Sequence, residues 1–62
     1  MTLKLERVKR ELTQKELQSI SGVSIVTIAK IEKGGVDSAT IGTLKKLAAA
    51  LDITVEELIK ES

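Results

Sequence analysis

Gly22 falls between two stretches of helical spacing that are only a few residues apart, and this constrains the chain more than any other feature. The first stretch opens with Thr13, Gln14, Lys15 and Glu16, a capping box. In such a box the threonine hydroxyl accepts from the amide three residues on, and the glutamate reaches back. A helix over 14–21 follows, expected to bury Leu17 and Ile20. Gly22 can adopt the left-handed backbone that ends that helix and turns the chain sharply. Val23 is placed as a plug between the two helices, and Ser24 as the N-cap of a second helix over 25–33. Ile28 and Ile31 form its buried face, and Gly34 ends it. Residues 13–34 thus read as helix, tight turn, helix, and the rest of the chain reads as their support.

The flanking segments are helical too. Leu5, Val8 and Leu12 share one face of a helix expected over 3–11, with Thr2 able to cap its start. A loop over 35–39 leads to Thr40, a cap for a helix over 41–51 with Ile41, Leu44, Leu47, Ala48 and Leu51 at helical spacing. Gly42 is a weak point in its first turn. Thr54, Val55, Glu56 and Glu57 make a second capping box. It opens a helix over 55–61 that buries Leu58 and Ile59, with Ile53 placed to staple against Leu58.

At 62 residues the chain makes one domain, 1–62, with little surface to bury. It has no cysteine and no histidine, which removes disulfides, thiol catalysis and the usual imidazole base and metal ligand. It has no aromatic residue, so the core must be aliphatic and no platform exists for stacking single-stranded bases. Glu56 and Glu57 are the one adjacent carboxylate pair, but helix neighbours do not face each other. No enzyme activity, cofactor or metal is expected. No apolar run approaches a membrane span and the N-terminus lacks a signal-peptide plan, so a soluble, cytoplasmic protein without membrane partners is expected. Net charge is only +1, but residues 1–33 carry seven basic and four acidic side chains and residues 34–62 carry three and five. This asymmetry either faces one end toward phosphate or is chance in a short helical chain.

The chain resembles the phage-repressor-like helix-turn-helix domains, the lambda repressor and Cro group also called the XRE family. The resemblance rests on Arg7, Thr13-Gln14, Leu17, Ser21-Gly22-Val23-Ser24, Thr27-Ile28, and Ile31-Glu32-Lys33-Gly34. The pairs Leu47-Ala48 and Ala50-Leu51 and the ending Glu56-Glu57-Leu58 match as well. It implies an all-α, compact five-helix fold and a DNA-binding regulator, a repressor, that is dimeric at least on DNA. Its third helix would enter the major groove of double-stranded DNA at a two-fold operator. It assigns base contacts to Ile25, Val26 and Lys30, a base or phosphate contact to Thr27, and a phosphate contact to Lys33. Ser24 and Ala29 lie on the same DNA-facing surface. Gln14 matches a position that bonds phosphate and braces the third helix, and exposed helix N-terminal amides add to phosphate binding. Arg7 and Glu32 match a structural ion pair.

Simpler readings stand beside these. Gln14 also suits an exposed helix start, and Lys30 and Lys33 also suit solvated charges near a helix C-terminus. Lys9, Arg10 and Lys15 read as surface charges. The chain departs from the family pattern at Glu11 and Asp52, where glycine is common, at Gln18, where alanine is favoured for tight packing, and at Asp37, in a loop that tends to be basic. Ile25 and Val26 depart furthest, since aliphatic side chains cannot donate to base edges. They can press on thymine methyl groups, or form an apolar patch for a protein partner. The second possibility defines the competing function: a protein-interaction module, antitoxin-like or anti-repressor-binding, that keeps the fold with weak base reading.

Overall fold

The computed structural model describes residues 1–34 and 39–61. They form five helices: α1 (Leu3–Lys9), α2 (Gln14–Ser21), α3 (Ile25–Glu32), α4 (Ile41–Leu51) and α5 (Val55–Ile59). No strand occurs among the described residues. The expected loop over 35–39 lies, apart from Ala39, outside them, and so does Asp37.

The capping chemistry forms as the sequence indicates. Thr13 and Thr54 each accept from the amide three residues on, and Glu16 and Glu57 each reach back to the cap. Thr40 caps α4 through the Thr43 amide. Gly22 turns the chain with φ at 77°. The same left-handed turn is made without glycine after α1 and α4, where Glu11 and Asp52 both sit at φ 56°. After α1, the Glu11 amide donates to the Val8 carbonyl and the Leu12 amide to the Arg7 carbonyl. After α4, the Asp52 amide donates to Ala49 and the Ile53 amide to Ala48. These paired bonds close both helix ends and satisfy carbonyls that would otherwise lack partners. For this reason α1 stops at Lys9 and does not run to residue 11 as expected.

The core is aliphatic: Leu3, Leu17, Val23, Ile28, Ile31, Leu44, Leu47, Ala48, Leu51 and Leu58. α2 packs against both α3 and α4, α4 against α5, and α1 spans α3 and α5. Several residues expected inside are outside. Leu5 and Val8 are about half exposed, at 51% and 53%, because α1 turns inward the face that carries Leu3 and Arg7. Ile20, Ile41 and Ile59 are also exposed. Each lies at the flank of its helix's buried stripe, whose middle is held by Leu17, by Leu44, Leu47 and Leu51, or by Leu58.

Thr2 does not cap α1 with its side chain. Its hydroxyl instead donates to the carbonyls of Glu57 (3.0 Å) and Leu58 (3.1 Å), and its amide donates to Leu58 (2.9 Å). The buried Thr2 thus takes up carbonyls at the open end of α5, which stops at Ile59 and does not continue to residue 61. α1 and α5 are joined at this point.

A non-glycine residue in the left-handed region costs about 1 kcal/mol. Glu11 is exposed, and aspartate tolerates that region better than glutamate. Glu11→Gly is therefore expected to raise stability by about 0.5–1 kcal/mol, and more than Asp52→Gly. Urea denaturation of both variants checks this, and equal or lower midpoints for Glu11→Gly would contradict it.

Candidate nucleic-acid interface

α2 and α3 meet through the turn at Gly22. The Ser21 hydroxyl donates to the Leu17 carbonyl (2.6 Å) and accepts from the Val23 amide (3.1 Å), which braces the turn from within. Val23 is buried there. Ile28 and Ile31 face the core, so α3 presents Ile25, Val26 and Lys30 outward, with Thr27 and Ala29 half-buried beside them. Ser24 and Lys33 are exposed at its two ends. Among the described residues neither Lys30 nor Lys33 forms a salt bridge, whereas Lys9 and Arg10 both pair with Glu6 on α1. The hydrogen bond from Arg10, helped by the charges of Lys9 and Arg10, holds the Glu6 carboxyl below its usual range against the upward push of desolvation.

Both ends of α3 are held. At its C-terminal end the Glu32 carboxylate accepts from Arg7 Nε (2.7 Å), Arg7 Nη2 (3.1 Å) and Gln14 Nε2 (3.0 Å). Arg7 Nη1 also donates to the Leu12 carbonyl (2.7 Å). Arg7 and Glu32 keep 12% and 5% of their side-chain surface, so the pair is largely out of water. Gln14, from the first turn of α2, is thereby a brace for α3. At the N-terminal end the Ser24 hydroxyl accepts from the Val26 amide (3.2 Å), and Gln18 Oε1 accepts from the Ile25 amide (2.7 Å). The first two amides of α3, those of Ile25 and Val26, thus have acceptors inside the protein. These two amides are therefore not among the exposed helix N-terminal amides expected to add to phosphate binding.

The sequence reading did not single out Gln18 as a site residue. Its only signal was the spacing: four residues after Gln14, on the same face of α2, where alanine is the family preference. The side chain reaches across to the start of α3 and makes a bond that alanine cannot make.

The helix-turn-helix family model matches residues 3–58, and the chain belongs to that family, in its phage-repressor-like XRE group. The class is one of DNA-binding transcription regulators and not of enzymes. Two proteins of Bacillus subtilis (strain 168) are similar to this chain. One, named an uncharacterized HTH-type transcriptional regulator, RghRB, is 43% identical over 53 residues, which are 86% of this chain and 38% of that protein. The other, the HTH-type transcriptional repressor RghR, is 42% identical over 57 residues, 92% of this chain and 42% of that protein. The chain therefore spans about two-fifths of the length of these curated relatives. No solved structure matches it. Among the described residues no helix is long and apolar enough to cross a membrane.

Burial pushes the Glu32 carboxyl up, but hydrogen bonds from Arg7 and Gln14 and the charges of Arg7 and Lys4 outweigh it, so it lies below the usual range. A carboxyl lowered in the folded state stabilises the fold above its unfolded pKa, and that contribution disappears as pH falls through the lowered value. Stability of the wild type is therefore expected to fall more steeply than that of Glu32→Gln as pH drops from about 5 to about 3. Thermal melts across that range test the sign, and parallel curves would refute it. Glu32→Ala strands Arg7 and is expected to cost about 3 kcal/mol, a large part of a small domain's stability. A circular-dichroism melt matching wild type would count against the pair.

Proposed function

We propose that this chain is the DNA-reading domain, residues 1–62, of a cytoplasmic transcriptional repressor that binds a two-fold operator as a homodimer, with α3 in the major groove. The observation that carries this reading is the mounting of α3. The helix is clamped at both ends by side chains of α1 and α2, and its outer face is left to solvent. A major groove admits a helix, and the residues near that helix's N-terminus meet base edges. Ile25, Val26 and Lys30 are the base contacts, with Thr27 and Ala29 beside them. Lys33, Ser24 and Gln14 approach phosphate. The name of the similar Bacillus subtilis protein RghR supports a repressor over an activator.

Ile25 and Val26 can contribute only apolar contacts, with thymine methyl groups as their complement in the groove. Discrimination then rests on Thr27, Lys30 and the shape of the duplex. Val26 is 59% exposed and Ile25 36%, and this patch favours one second reading, a protein partner docking on α3.

Fluorescence anisotropy with random duplex DNA separates the two readings. Affinity is expected to fall steeply between roughly 50 and 200 mM salt as phosphate counterions are released. Absence of binding at low salt, or a flat salt response, would sink the DNA reading and favour the protein partner. Lys30→Ala is expected to weaken binding roughly fivefold or more and to change sequence preference. Unaltered affinity and preference in that variant would remove Lys30 from the interface.

A further inference from the structure

We propose that Gln18 is a positioning residue for DNA recognition: it sets the leading turn of α3, and through it the placement of Ile25 and Val26 on the bases. The inference rests on the DNA-reading function proposed above, but its structural half stands separately. The Ile25 amide is the first of α3 and has no acceptor within its own helix. Gln18 Oε1 supplies one at 2.7 Å, across from α2. The carboxamide's orientation follows from chemistry, because an N–H can donate only to the oxygen. The next amide, of Val26, is taken by Ser24 at 3.2 Å. Ser24 belongs to the turn itself, so its bond shapes the helix start without tying it to another element. The Gln18 bond is the side-chain hydrogen bond that ties the N-terminal end of α3 to α2 among the described residues. Its counterpart at the other end is the Gln14 bond to Glu32 at 3.0 Å. Two glutamines four residues apart on one face of α2 thus hold α3 at both of its ends.

The consequence for recognition follows from the side chains this end carries. Ile25 and Val26 are aliphatic and make no directional bond of their own to a base edge. An apolar contact is decided by fit, and an ångström of displacement at the helix start removes it. A hydrogen-bonding side chain can re-aim through its own torsions. A β-branched aliphatic one is stiff, so its aim is that of the backbone beneath it. The fixed backbone at Ile25 therefore does for this reading pair what flexible polar side chains would do for themselves.

The test combines amide hydrogen exchange in the free protein with selection of bound sequences from a random duplex pool. In Gln18→Ala, exchange at the Ile25 amide is expected to rise roughly tenfold. Exchange at Leu47 and Leu51, which reports global opening, should change about twofold or less. Gln18→Glu keeps an acceptor of the same reach and is expected to restore Ile25 protection. Should Gln18→Ala fail to fold, Gln18→Glu still decides the first half, since protection at Ile25 must persist there. In the selection, Ile25→Ala and Val26→Ala identify the base pairs these side chains read. Gln18→Ala is expected to relax preference at those same pairs while leaving the salt slope unchanged. Unaltered Ile25 exchange, or unaltered preference at those pairs, would overturn the proposal. So would a salt slope reduced by about one, which would make Gln18 a phosphate contact instead. If the wild-type chain binds no duplex at low salt, the function proposed above fails, while the exchange result still reports on the clamp.

Discussion

The fold depends first on the Glu32 carboxylate, where α1, α2 and α3 meet. Removing a carboxylate from water costs several kcal/mol unless its oxygens are well supplied with donors. Here they receive two N–H groups from Arg7 and one from Gln14. The bidentate arginine contact is also geometrically strict, since a planar guanidinium meets a planar carboxylate in one arrangement. With Arg7 committed to Glu32, the rotation of α1 about its own axis is settled. Leu3 goes into the core with it, and Leu5 and Val8 are carried to the outside. The pair does not stand alone, for Arg7 also reaches the Leu12 carbonyl at the turn that leads into α2.

α2 shows the same trade between apolar burial and directed bonds. Its inward row holds one large apolar residue, Leu17, beside Gln14, Gln18 and Ser21. Each of these polar side chains bonds to α3, to the turn before it, or to Glu32 at its far end. Ile20, which would have widened the apolar stripe, is left half exposed. A more apolar α2 would bury more surface, but burial is not directional and would fix the angle of α3 less firmly. In a helix-turn-helix protein that angle is what the partner DNA meets. The bonds at both ends of α3 therefore serve placement, while the aliphatic core that all five helices share supplies the burial.

The scaffold was legible in the sequence because its signals are local. The capping boxes at Thr13 and Thr54, the cap at Thr40 and the turn at Gly22 each involve residues within about one helical turn, and all form. The starts of α2, α3, α4 and α5 follow from them directly. The glycine-free turns at Glu11 and Asp52 were harder to place, because their backbone is set by closing bonds and not by the residue's own preference. At the candidate interface, the outward exposure of Ile25, Val26 and Lys30 followed from Ile28 and Ile31 facing in. The acceptor for the Ile25 amide did not follow, because it comes from seven residues away on another helix.

The sequence by itself determined which residues share a helical face, where each helix begins, and that α3 would present two aliphatic side chains at its leading end. Only the tertiary structure decided which face of α1 turns inward, that Gln18 closes the start of α3, and that Thr2 closes the end of α5. The reason is physical. A period of 3.6 residues groups side chains by angle, but the helix can turn any of its faces toward the core until a partner is in place. For α1 that partner is Glu32, 25 residues along the chain from Arg7, and for Thr2 it is α5, 56 residues from it at Leu58. Pairings at such separations exist only once the chain has folded.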